Sequence, residues 1–534
     1  MIIQLLLLAM QSPDPLAVRA DTLRPRNDAI HHDITIVVSD TSTHILGNVV
    51  TTWLLRSAAP VEVQLDSSFR VIRVLTDGEG DSRMSRISFA LNPGGGVYIP
   101  HKKGSGDTLR TTIRYHGPVR QGLVFGADPA GRRTLFADNW PDRAHHWIPL
   151  EDHPSDKATV TFHVEVPPGM QVVANGVRWK VDTIPRGRTV WHFDMKQPIP
   201  SYGMAIGAGR LAMTQLPDAA CDIKCVPISV VTYPGDSAWA VNGPFRRAGE
   251  MVTWFSSLVG PFPYDQLSHV QSTTIFGGME NPTAIFYDTK AYAEKRLREE
   301  IVAHETAHQW FGDAVTEDDW HHLWLSEGFA TYFAALWVRH AAGDSAFKAR
   351  MQQHRATVIA SKETSRPILD GAARDLMGLL NSNNYPKGAW VLHSLRGMIG
   401  DSTFFGAMRQ WYLLYRDSTG LSSDLLEVVN RVSKRDLRWY FTQALTQPGY
   451  PRLDVIWQFR KGTLVLTVKQ VQPPEWGLYR IPGLVIQVDG KPLKVDVNGP
   501  STTIRAPGFR KAPGKIVVDP AAWWLMESTV SEAK

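Results

Sequence analysis

The chain has 534 residues, 43% of them hydrophobic and 20% charged, with a formal net charge of +5. That length exceeds what one hydrophobic core supports, so roughly two to four domains are expected from a composition that is ordinary for a globular protein. The sequence pI near 9.0 invites a nucleic-acid reading, but Lys and Arg are scattered and no dense basic run with interleaved aromatics occurs; the excess is a solvated surface, and no nucleic-acid partner is expected.

The N-terminus reads Met-Ile-Ile-Gln-Leu-Leu-Leu-Leu-Ala-Met and then Gln-Ser-Pro-Asp-Pro. The apolar run is far too short to span a bilayer. It has the form of a secretory h-region without a basic n-region, so residues 1–20 are a possible signal segment and the chain is expected in the periplasm or outside the cell. A buried first strand is the alternative. No other segment could cross a membrane.

Short alternating runs dominate as far as about residue 216. Ala158–Val166 alternates cleanly before Pro167-Pro168-Gly169 turns the chain, and His32–Val38 and Val61–Leu75 behave alike. Residues 21–216 therefore predict an antiparallel β domain. Cys221 and Cys225, the only cysteines, offer two of the four ligands a structural zinc needs. A small disulfide loop in an oxidising compartment is favoured over two thiols, in agreement with export.

The pattern then changes. Phe245–Leu258 has helical spacing and is closed by Gly260-Pro261, and apolar residues recur at three and four through Arg296–Leu336 and Pro386–Leu445. Residues 217–446 predict a mostly helical domain, ended by Pro448-Gly449-Tyr450-Pro451. Thr463–Val468 and Leu484–Val488 alternate again, with an Asp489-Gly490 turn, so residues 447–534 predict a small β sandwich. The fold class is multidomain α+β.

His304-Glu305-Thr306-Ala307-His308 lies in an apolar helical stretch, Ile301–Trp310. Side chains four apart share a helix face one turn up, so two imidazoles can point at one ion. Glu305, one position on, can reach a water beside the ion as general base. A catalytic zinc needs a third protein ligand and an open position. Glu327, separated from His308 by 18 residues and lying in Trp-Leu-Ser-Glu-Gly-Phe-Ala-Thr-Tyr-Phe, is the candidate, on a second helix after the loop Gly312–Trp320. Leu325, Phe329, Tyr332 and Phe333 give that helix an apolar face, leaving a buried carboxylate in need of a positive partner. His145-His146 and His321-His322 lack ligand spacing and read as surface or cleft histidines.

On these residues the chain resembles the gluzincin aminopeptidases, which include alanyl aminopeptidase and leukotriene hydrolase. The likeness rests on Glu299–Leu336, on Gly277-Gly278-Met279-Glu280-Asn281 and on Tyr385-Pro386-Lys387-Gly388-Ala389. It implies an N-terminal β saddle, a thermolysin-like catalytic domain and one zinc per chain on His304, His308 and Glu327. Glu280, within the substrate-binding segment Gly277, Gly278, Met279 and Asn281, grips a free α-amine, and Tyr385 donates to the oxyanion. The implied function is removal of N-terminal residues from peptides with a free N-terminus. Alternatives are a zinc endopeptidase, an epoxide hydrolase on the same site, or a peptide-binding relative without catalysis. Trp140 stands where relatives usually place a substrate-binding glutamine, Asp313 where they commonly have Asn. The family's C-terminal helical superhelix has no counterpart in this sequence, so a more open site is expected.

Overall fold

Strand Lys157–Val166 is buried at every second residue, as its alternating sequence demands, and sits in the middle of an eight-stranded sheet. The computed structural model describes residues 14–21, 24–78, 81–86, 90–91, 96–222 and 224–533; the apolar run read as a signal h-region, residues 2–10, lies outside them. Across the sheet the order is Val177–Thr183, Thr189–Pro200, Lys157–Val166, Asp28–Val38, His44–Leu54, Thr108–Pro118, Arg70–Gly78, Asp81–Arg86. One pairing departs from the antiparallel expectation: Asp28–Val38 runs parallel to Lys157–Val166, with His32 opposite Val160. Alternation fixes which face of a strand is buried, not the direction of its neighbour.

The central region is not wholly helical. A five-stranded sheet, Ala212–Ala219, Val226–Thr232, Leu267–Ser272, Ala284–Asp288 and Gly278–Met279, forms one wall. Leu267–Ser272 is buried along its whole length and lies parallel to both neighbours; a strand covered on both faces need not alternate. Helices follow: α1 (Ala248–Val259), α2 (Glu299–His308), α3 (Trp324–Ala360), α4 (Gly388–Ile399), α5 (Asp401–Tyr415), α6 (Ser422–Ser433) and α7 (Arg438–Thr446). Cys221 and Cys225 are joined as a disulfide. The C-terminal strands form a four-stranded and a three-stranded sheet. Leu466 of one and Ile486 of the other meet in a core of their own, the expected sandwich. Among the described residues no helix is long and apolar enough to cross a membrane.

Residues 14–21, which include part of the stretch read as a signal segment, strap across the helical region together with Arg24. Leu16 is fully buried and its carbonyl accepts from Ser423 N at 3.0 Å. Arg19 and Arg24 both pair with Asp318, at 2.7 and 2.6 Å. Asp21 accepts from Trp320 N at 2.8 Å and faces His321 Nδ1 at 3.4 Å and His153 Nε2 at 3.3 Å. His321 also meets Asp319 at 2.8 Å, and Arg24 approaches Asp319 at 3.8 Å. Burial opposes a charge on His321, but Asp21 and Asp319 outweigh it and hold its pKa at about 10. Burial pushes Asp21 up, and its bonds from His153 and His321 outweigh that, leaving it well below the usual carboxylate range.

A pKa raised on folding contributes stability that is complete below the unfolded value and lost as pH rises through the folded one. The His321 contribution should therefore be full below about pH 6.5 and fade toward pH 10. The Asp21 contribution should vanish only in acid. His321→Asn is expected to cost about 3 kcal/mol near neutrality by removing the imidazolium that the buried carboxylates Asp21 and Asp319 share. Thermal midpoints of wild type and variant should converge between pH 7 and pH 10, and a gap that does not narrow would contradict the account.

Candidate active site

Helix α2 carries His304 and His308 one turn apart, and α3 presents Glu327 to both. His304 Nε2 lies 3.1 Å from His308 Nε2, and Glu327 Oε2 lies 3.2 and 3.3 Å from the two rings. Ligands about 2.0–2.1 Å from a tetrahedral zinc stand about 3.3 Å from one another. Two nitrogens and a carboxylate oxygen at that mutual spacing fit such an ion. His308 and Glu327 are buried and His304 is partly exposed, so the cluster faces solvent on one side.

The surroundings fix the imidazole that would bind. His308 Nδ1 lies 3.1 Å from the Phe311 carbonyl and 3.0 Å from Ser326 Oγ. A carbonyl can only accept, so Nδ1 carries the proton and Nε2 keeps its lone pair for the metal. Gly312 is required beside this pair: at φ 122°, a Cβ would collide with Ser326 Oγ and crowd His308 Nδ1. Ser326 went unnoticed in the sequence, although it directly precedes Glu327. Ser326→Ala should weaken metal affinity about tenfold, measured by competition with a chelator, and unchanged affinity would show that the Phe311 carbonyl suffices.

Strand Gly278–Met279 brings the Gly277–Asn281 segment alongside α2. Gly278 is so close to Glu305 that a Cβ there would run into the carboxylate. Oxygen and nitrogen atoms of Glu280, Glu305 and His308 lie within 4.8 Å of one another. Gln309, which follows His308, holds this arrangement. Its Nε2 donates to the Glu280 carbonyl at 2.9 Å and to Asp313 at 2.7 Å, while its Oε1 accepts from Thr283 N at 3.0 Å. Asn175 of the N-terminal region braces the same segment, donating to the Pro282 carbonyl at 2.7 Å. Burial and nearby Glu280 push the Asp313 carboxyl well up.

Tyr385 stands in a π-turn, Asn383–Lys387, that leads into α4. Its hydroxyl donates to Glu327 Oε1 at 2.6 Å, and its ring lies parallel to His304 at 6.0 Å. Burial and Glu327 push the phenol well above its ordinary value, so it remains a donor. Burial also pushes up the Glu280 and Glu305 carboxyls. Glu327, equally buried, is drawn down by the His308 and His304 rings that face it. Among the described residues no Lys or Arg pairs with Glu280, Glu305 or Glu327; their only ionisable-base partners are the two imidazoles.

The structure thus brings His304, His308, Glu327, Glu305, Glu280 and Tyr385 together, with Gly278 against Glu305. It places the two histidine pairs elsewhere. His322 is buried under the strap, while His321, His145 and His146 line one cleft, the last two pairing with Asp152 and Asp66 at 2.9 and 2.6 Å. Trp140 is buried edge-on to Phe276 and Trp320, at 6.2 and 5.5 Å, below the start of the Gly277 segment.

Helix α3 breaks at Gly343 (φ 86°, ψ 175°), and Phe347 packs back on Tyr332 at 6.4 Å. Its second half therefore returns toward the site. There Arg350 and His354 line a cavity of about 360 Å³ that opens on His304, Glu305 and Tyr385.

Comparison with known proteins gives matches to two family profiles, the Peptidase M1 N-terminal domain over residues 28–202 and the Peptidase family M1 domain over residues 246–443. A leucyl aminopeptidase of Saccharolobus solfataricus is 28% identical over 409 residues, covering 71% of this chain and 50% of that protein. Leucine aminopeptidase 2 of Coccidioides immitis is 27% identical over 302 residues, covering 53% and 46%. The chain spans about half the length of these curated relatives. The crystal structure of an M1 zinc metallopeptidase from Deinococcus radiodurans shares the fold, with a TM-score of 0.70 at 24% identity over 79% of this chain and 95% of that one. A variant of that enzyme bound to the peptide Tyr-Ser-Ala aligns with a TM-score of 0.69.

Proposed function

Because this chain belongs to peptidase family M1, we propose that it is a zinc aminopeptidase that removes N-terminal residues from peptides. The observation that carries the reading is the charge of the site. Three carboxylates, Glu280, Glu305 and Glu327, converge on two imidazoles, and among the described residues no Lys or Arg balances them. A divalent metal and a substrate ammonium bring the three missing positive charges.

His304, His308 and Glu327 would hold one zinc ion, which supplies Lewis-acid polarisation of the scissile carbonyl and a lowered pKa for water. The chain's own groups do the rest. Glu280 pairs with the α-ammonium, which sets the first peptide bond, and no later one, beside the reacting centre. Glu305 accepts a proton from the attacking water and passes it to the departing amine. Tyr385 releases Glu327 and donates to the substrate oxygen on which negative charge develops.

Export to an oxidising compartment belongs to the same proposal, supported by the Cys221–Cys225 bond. The function is tested with paired fluorogenic peptides that differ only by an N-terminal acetyl group. Cleavage of the free-amine member alone, lost with chelator and restored by zinc, is expected. Equal cleavage of both would mean an endopeptidase, and cleavage of neither would remove the peptidase reading.

A further inference from the structure

Beyond His304, Glu305 and Tyr385, the cavity of about 360 Å³ is walled by four titratable side chains. Arg298 and Glu300 come from the start of α2, Arg350 and His354 from the returning half of α3. Glu280, the group that pairs with the substrate amine, does not line this space. A peptide held by its amine at Glu280, with its first bond beside His304 and Glu305, therefore extends its remaining residues into the cavity.

The charges of that wall do not cancel. Arg350 forms a salt bridge with Glu300. Burial, Arg350 and His304 lower the His354 pKa to about 4, so its imidazole is neutral at physiological pH. Arg298 is exposed and, among the described residues, makes no salt bridge, hydrogen bond or ring contact through its side chain. Its guanidinium is near enough to Glu300 to oppose, together with Arg350, the rise that burial gives that carboxyl. One positive charge is thus left over along the path of the departing peptide. Arg298 precedes Glu305 by seven positions, which on α2 is two turns down the same face and about 10 Å along the axis. An extended chain advances about 3.3 Å per residue, so roughly two or three residues past the scissile bond span that gap.

Resting on the aminopeptidase reading, we propose that Arg298 binds the C-terminal carboxylate of the substrate and that tripeptides and tetrapeptides are the favoured class. A dipeptide falls short of the guanidinium, and a longer peptide carries its carboxylate past it. Both ends of a short peptide are then held by charge, the ammonium by Glu280 and the carboxylate by Arg298. The pair forms at an exposed guanidinium, so its contribution is modest and is screened by salt.

The test uses the full chain and alanine peptides of two to six residues, each as the free acid and as the C-terminal amide, with release of alanine as the readout. The free acid should be preferred in kcat/KM by about fivefold at three and four residues, and not at six. That preference should shrink as salt is added. Arg298→Gln should remove it and Arg298→Glu should reverse it. Each figure is a ratio within one variant, so a general loss of activity imitates neither result. A preference that persists in Arg298→Gln, or none at any length in the wild type, would overturn the proposal and leave the aminopeptidase reading standing. Cleavage of neither series would overturn both.

Discussion

Glu305→Gln is expected to lower kcat by about 10²–10⁴-fold while one zinc per chain remains bound. The amide keeps the volume and one acceptor oxygen of the carboxylate, so the packing against Gly278 survives. It cannot take up a proton, and the step from water to leaving amine loses its carrier. The loss corresponds to about 3–5 kcal/mol of barrier. KM should change little, because Glu305 is not the group that pairs with the substrate amine. His304, His308 and Glu327 remain in place, so metal content measured by atomic absorption should match wild type. A variant that retains more than about a tenth of the activity would remove Glu305 from the role of base, and one that lost its metal would leave the question to a different substitution.

Much of this site was legible because its parts obey local rules. His304 and His308 share a helix face by spacing alone, and Glu327 follows on the next helix after a loop rich in Gly, Asp and Thr. The alternating strands of both β regions announced their buried faces in the same way. What escaped was non-local. Nothing in the sequence says that Ser326 reaches His308 Nδ1, or that Gln309 ties the Glu280 carbonyl to Thr283 and Asp313. The parallel pairing of Asp28–Val38 with Lys157–Val166 joins strands more than a hundred residues apart, and no period in either reveals its partner. The histidine pair 321–322 shows the same limit: nothing in its spacing reveals that Val18 and Asp21, some three hundred residues earlier, pack against it. The turn at Gly343 that sends α3 back toward the site was also missed, because a glycine inside a helical pattern reads equally as an interior residue or a C-terminal cap.

The second large effect concerns selection of the free amine. Glu280 is 6% exposed, and its carboxyl is pushed up by burial, so its ionised form is costly until a positive group arrives. A substrate ammonium supplies that group, and the pair forms where water is largely excluded. Removing one member of a buried charge pair costs about 2–5 kcal/mol, or roughly 30-fold to a few thousandfold. Glu280→Ala should therefore lower kcat/KM for free-amine peptides by about that factor. The Glu280 main-chain carbonyl accepts from Gln309 Nε2, so the backbone of the segment keeps its tie to α2 when the side chain is cut. Acetylated peptides, which cannot use the carboxylate, should remain as poor as before. The measurement is the ratio of kcat/KM for the free and acetylated members of one peptide pair in wild type, Glu280→Ala and Glu280→Gln. The ratio should collapse in both variants, further in Ala than in Gln, whose amide oxygen still accepts from the ammonium. Equal losses on both substrates would mean that Glu280 only shapes the site, and an unchanged ratio would place the amine elsewhere.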